Sequence, residues 1–120
     1  MQRVRARDCE EITAQDGCRL RELLHPDKDD SGVPYSLALA RIDPGGATDP
    51  HKLLGHREVY LILEGEGEMH IGDEVEAVGP GDAIVIPADA VQWIANTGET
   101  SLRFACLVDP PWQSETDVSA

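Results

Sequence analysis

The stretch Gly45–Gly65 reads GGATDPHKLLGHREVYLILEG, and Gly81–Asn96 reads GDAIVIPADAVQWIAN. In both, Gly, Pro and Asp bracket short apolar runs rich in Val, Ile and Leu, the pattern of strands separated by tight turns. Side chains alternate faces along a strand, so His56, Glu58, Tyr60 and Ile62 share one face while Arg57, Val59 and Leu61 share the other. In the second stretch the same parity puts Gln92, Ile94 and Asn96 together and Trp93 opposite.

The rest of the chain repeats this punctuation. Strands are expected at Ile12-Thr13, Arg19 to Leu24, Ser36 to Ile42, Val59 to Glu64, Glu68 to Ile71, Val75 to Val78, Ala83 to Ile86, Gln92 to Ala95 and Ser101 to Val108. No segment carries a helix-length amphipathic repeat, which makes the chain all-β. The segment Glu66 to Pro80 is long enough for one hairpin between the two quoted stretches. The tail Gln113 to Ala120 is polar and is expected to fray.

The 120 residues, with a hydrophobic fraction of 41%, are enough for one core. We expect one domain over 1–120, with N-terminal strands at about 10–42, the quoted stretches at 45–65 and 81–96, and the polar tail at 113–120. With 23 acidic against 10 basic residues the net charge is −13, which repels phosphate backbones and anionic membranes, so neither nucleic acid nor membrane is an expected partner. Apolar runs such as Val33 to Ala40 fall far short of the ~20 residues of a membrane helix. The basic N-terminus MQRVRAR leads into Asp8, Glu10 and Glu11 rather than an apolar run, so no secretory signal is read and the expected location is the cytoplasm. Cys9, Cys18 and Cys106 form no C-x-x-C pair, which argues against a disulfide framework or a zinc knot. Lys28 and Lys52 are the only lysines, and so acidic a surface suits high salt.

The two quoted stretches resemble the paired motifs of the cupin superfamily, G-x5-H-x-H-x3,4-E-x6-G and G-x5-P-x-G-x2-H-x3-N. The resemblance implies a double-stranded β-helix (jelly-roll) barrel in which three histidines and the glutamate bind one divalent metal ion. His51 and Glu58 stand at ligand positions, Leu53 and Gln92 stand where histidines are expected, and Asp89 replaces a glycine. Asp tolerates left-handed backbone geometry, so the turn after Pro87 can survive. His56, carried inward with Glu58 by parity, is a candidate to replace the histidine missing at Leu53. The expected metal set is therefore His51, His56, Glu58 and Gln92, a mixture of imidazole, carboxylate and amide suited to Fe, Mn, Ni or Zn. A carboxylate in an apolar barrel is costly unless paired, protonated or metal-bound, which singles out Glu58.

In this family such a metal acts as a Lewis acid or O2-activating centre, so the resemblance implies a dioxygenase, lyase or isomerase acting on a small polar metabolite. Glu58 and Tyr60 are then the catalytic candidates, although Tyr60 reads first as core, and a phenol beside Glu58 could orient substrate or donate a proton. The alternative is a metal-free small-molecule-binding cupin without catalysis, in which Gln92 is a neutral hydrogen-bonding replacement. A homodimer is expected to cover exposed strand edges, using the N-terminal strand and Trp112. His25 and His70 read as loop and solvent-facing residues, and Glu22, if it joins Leu20 and Leu24 on a barrel face, needs a partner.

Overall fold

A computed structural model describes residues 1–120. Eleven strands form: β1 Ile12–Thr13, β2 Arg19–Leu24, β3 Ser36–Ile42, β4 His51–Leu53, β5 Arg57–Glu64, β6 Gly67–Ile71, β7 Glu74–Val78, β8 Ala83–Ile86, β9 Gln92–Asn96, β10 Leu102–Asp109 and β11 Asp117–Ser119. They make two antiparallel sheets, one ordered β1-β2-β3-β10-β5-β8 and the other β11-β4-β9-β6-β7. Only two single-turn 3-10 segments, Ala6–Asp8 and Ser114–Thr116, interrupt the strands, and no helix is long and apolar enough to cross a membrane.

Two strands lie outside the sequence expectation. Each has three residues, too few for alternation to register. β11 falls in the tail expected to fray; instead it pairs with β4, Asp117 opposite Leu53 and Ser119 opposite His51. The tail satisfies backbone groups that β4 would otherwise leave open at a sheet edge.

Register explains where the core ends and a cavity begins. Along β3, β10 and β5 the inward side chains form successive rows: Ala40, Phe104 and Ile62, then Ala38, Cys106 and Tyr60, then Ser36, Val108 and Glu58. In the first row Phe104 and Ile62, each 1% exposed, fill the interior beside Ala40. Tyr60 leans on Phe104 with ring centroids 4.5 Å apart. Beyond the first row the residues of the next two, Ala38, Cys106 and Tyr60, then Ser36, Val108 and Glu58, line an open cavity.

The motif residues have separate physical duties. Gly65 has φ of 84°, and a Cβ there would lie 2.6 Å from the Ser101 carbonyl oxygen, so a larger residue fits neither the dihedral nor the space. Asp89 takes φ of 68° as expected, and its Oδ1 accepts a hydrogen bond from the Gly55 N–H at 2.9 Å. Asn96 is buried and donates from Nδ2 to the carbonyls of Ile42 (2.9 Å) and Thr100 (2.8 Å), while its Oδ1 accepts from Gly98 N–H (2.9 Å). Removing that amide strands buried backbone groups, so Asn96→Ala should cost about 2–3 kcal/mol in urea denaturation. A loss below about 0.5 kcal/mol would show that water replaces all three bonds.

Candidate functional site

The opening beyond Tyr60 is a cavity of about 190 Å³. Its walls come from β3, β4, β5 and β10, from the turn between β1 and β2, and from Trp112 and Asp117 of the C-terminal segment. The walls are largely apolar, but Asp16, Glu22, Glu58 and Asp117 face it with His51. Lys28 is the one lysine or arginine lining it, and its Nζ lies 2.9 Å from Glu22, which thereby has the partner its inward position demanded.

Glu58 sits where β5 meets the cavity, 7% exposed, and its buried Oε1 has no hydrogen-bonding partner. Burial raises its pKa to about 8; the Gln92 amide pulls it partly back, while the charges of Asp16 and Asp117 push it further up. Tyr60 is likewise driven well above its ordinary range, first by burial and then by the negative charge of Glu58. Its hydroxyl donates to Gln92 Oε1 at 3.2 Å. Cys106 and Cys18 are pushed up by burial, so both thiols stay protonated.

His51 lies opposite Gln92 across the β4–β9 pair. Its Nδ1 is 2.9 Å from the Asp49 carbonyl, to which it must donate, and this leaves Nε2 as the free lone pair. Asp16 Oδ2 is 3.8 Å from that Nε2, beyond hydrogen-bonding distance. The interior thus assembles His51, Glu58, Tyr60 and Gln92 from the sequence expectation. No group of three or more His, Cys, Asp or Glu side chains is already arranged to hold an ion.

His56 takes a different direction. Parity does bury it with Glu58 and Tyr60, yet its Nδ1 lies 2.7 Å from the Pro110 carbonyl and its Nε2 lies 2.8 Å from Thr116 Oγ1. Both ring nitrogens are engaged by the C-terminal segment, and His56 clasps that segment to the barrel. His25 is no free loop residue either: it is 3% exposed, with Nε2 2.8 Å from the Trp112 carbonyl. Trp112 lines the cavity and donates its Nε1–H to Asp117 Oδ2 at 2.9 Å. His70 and Trp93 stack with ring centroids 3.5 Å apart, and His70 Nε2 lies 2.8 Å from Glu68 Oε1.

Asp16, Trp112 and Asp117 were not singled out by sequence as site residues. Asp16-Gly17 is a recognisable turn dipeptide, with Gly17 at φ of 92°. Nothing local says that the turn folds over the barrel mouth.

Comparison with known proteins agrees with this geometry. The Cupin_2 family profile, described as a cupin domain, matches residues 38–108. The chain belongs to the cupin family. An uncharacterized protein of Methanocaldococcus jannaschii is 41% identical over 101 residues, covering 84% of this cupin and 80% of that protein. The oxalate-binding protein of Thermotoga maritima is 32% identical over 72 residues, 60% of each chain. Among solved structures, a predicted oxalate decarboxylase from Thermotoga maritima superposes with a TM-score of 0.79 at 26% identity, covering 91% of this chain and 99% of that one. KdgF from Halomonas shares the fold at a TM-score of 0.78 and 17% identity, over 96% of this cupin and 97% of that chain.

Glu58 gives the metal-free protein a defined pH dependence. Below about 4.5, the ordinary value, its carboxyl is protonated whether the chain is folded or not. From there to about 8 the unfolded chain releases the proton and the folded chain keeps it, so stability falls as pH rises through that window. In chelator-treated protein, Glu58→Gln should therefore melt above the native sequence at pH 8, with the gap closing toward pH 5. An equal gap at both pH values would contradict the buried protonated carboxyl. For His56→Ala, loss of both clasping bonds should lower stability by about 1–3 kcal/mol in denaturant titrations.

Proposed function

We propose that this chain is a cytoplasmic small-molecule-binding cupin that holds one divalent ion through His51, Glu58 and Gln92 and presents it to a small polar ligand. The observation that carries the reading is the partnerless Oε1 of Glu58, a buried acceptor facing the same cavity as the free Nε2 of His51. A carboxylate in that position ionises at neutral pH only beside a positive charge. The donor set fits such an ion: the Asp49 carbonyl fixes the His51 tautomer, as metal-ligating histidines require, and the Gln92 oxygen keeps a second lone pair beyond its bond to Tyr60. When bound, the ion would supply Lewis acidity or an O2-activating centre.

The chain's own groups supply the rest. Tyr60, kept neutral by burial, orients the Gln92 amide and offers a hydroxyl beside Glu58; these two are the catalytic candidates if the ligand is transformed. The apolar walls exclude water from the ligand's far side. An anion such as the oxalate named for the Thermotoga relative would face four carboxylates here, and the one lining lysine is already paired. Anionic ligands therefore enter this cavity only with a cation. Three unpaired cysteines suit a reducing compartment.

A metal-free ligand site is the second reading, favoured by Leu53 at a ligand position and by the lack of three converged His, Cys, Asp or Glu side chains. Protonated Glu58, Gln92 and Tyr60 would then hydrogen-bond the ligand directly. Elemental analysis of protein purified without tag or chelator separates the two. Near-stoichiometric divalent metal, lost in His51→Ala, is the expected result; metal-free native protein supports the second reading.

The proposal includes a homodimer. Leu61, Leu63 and Val85, exposed to 41%, 45% and 65%, stand on the outer face of the six-stranded sheet, away from the cavity. Burying that apolar face against a second copy is the simplest use of it, and it replaces the expected contact through Trp112, which serves the cavity wall. Sedimentation should show a dimer at micromolar concentration that Leu61→Lys with Val85→Lys converts to monomer. A monomeric native protein would refute it.

A further inference from the structure

The barrel mouth is closed by a segment that the motif residues do not include. Between β1 and β2 the chain turns through Ala14 to Cys18, held by Gly17 N–H donating to the Ala14 carbonyl and Ala14 N–H donating to the Cys18 carbonyl. Asp16 Oδ1 accepts from Cys18 N–H at 3.1 Å, which leaves Oδ2 turned toward His51. The turn is bolted to the site itself. Asp49 N–H donates to the Asp16 carbonyl at 2.7 Å, and the Asp49 carbonyl in turn receives the His51 Nδ1 proton. One residue, Asp49, therefore fixes both His51 and the turn that carries Asp16.

We propose that Asp16 is a metal donor in this cupin, completing the His51, Glu58 and Gln92 set in place of the side chains that Leu53 and His56 do not supply. The proposal rests on the divalent-ion reading above. Three observations support it together. The Asp16 side chain is 11% exposed and faces the cavity shared by His51 and Glu58. Its Oδ2 lies 3.8 Å from His51 Nε2, and two ligand atoms each roughly 2.1 Å from one ion stand roughly 3–4 Å apart. Glu58 Oε1, in a side chain 7% exposed, waits without a partner in the same cavity.

As the side chains stand, the three do not yet converge on one point, and a bound cation would draw the two carboxylates together against their mutual repulsion. A turn attached through backbone bonds at Asp49 can make that adjustment at Asp16 while His51 stays fixed. The resulting donors are two carboxylates, one imidazole and one amide. Such a set leans toward harder ions than an all-histidine set would.

The test compares the native chain with Asp16→Asn, which keeps an Oδ1 acceptor for the Cys18 N–H and so preserves the turn; thermal melting of the metal-free proteins checks that it does. Calorimetric titration with MnCl2 should show Asp16→Asn binding on the order of tenfold to a hundredfold more weakly, at or above the range for loss of a residue that merely orients a ligand. Titration with CoCl2 adds a readout of coordination, since the d–d absorption changes when a carboxylate leaves the metal. Equal manganese affinity in the two proteins would overturn the Asp16 assignment alone. Weaker binding with an unchanged cobalt spectrum would also overturn it, because Asp16 would then act only by holding His51. A native chain that binds neither metal would overturn the divalent-ion reading and this inference with it.

Discussion

Glu58 is carried by β5, between β10 and β8 in the larger sheet, to a buried position where Oε1 has no hydrogen bond. Leaving that carboxyl ionised and alone would be costly, so the metal-free barrel keeps a proton on it, and a pKa near 8 is the consequence. The same constraint orders the surroundings. Tyr60 and the two buried thiols stay neutral chiefly because they too are buried, and the Gln92 amide is held by Tyr60 at the depth where a family histidine would stand.

The cavity above Glu58 exists because both ends of the chain return to it. The turn carrying Asp16 covers one side and is tied to the His51 strand through Asp49, while Trp112 and Asp117 close another. Gln15 joins the two flaps, donating to the Asp117 carbonyl and accepting from Ser114 Oγ. His56 and His25 anchor the C-terminal flap from below. Two of the four histidines are thus spent on closing the site rather than lining it, which is why a chain with so few leaves only His51 facing the cavity.

Net charge and site charge run in the same direction. A cavity lined by Asp16, Glu22, Glu58 and Asp117 inside a chain of net charge −13 favours cations over free anions. On the outer face of the six-stranded sheet, by contrast, Leu61, Leu63 and Val85 are exposed apolar residues.

The fold and part of the site were legible from the residues because both follow from local rules. Alternation put Glu58 with Tyr60 and Gln92 with Asn96, and the resemblance to the cupin motifs turned those faces inward, while Asp89 took the left-handed turn that its chemistry permits. Parity, however, assigns a face and not a destination. His56 shares the inward face of Glu58, but its imidazole reaches the Pro110 carbonyl and Thr116, partners some sixty positions along the chain that no local pattern brings near. The tail looked free because its polarity is local, while the bonds that hold it come from the open edge of β4. Nothing near Asp16 in the sequence marks it as facing the cavity, for the same reason. The sequence alone determined an all-β barrel with a buried carboxylate; only the tertiary structure decided what surrounds that carboxylate, because its neighbours are set by long-range backbone pairing rather than by spacing along the chain.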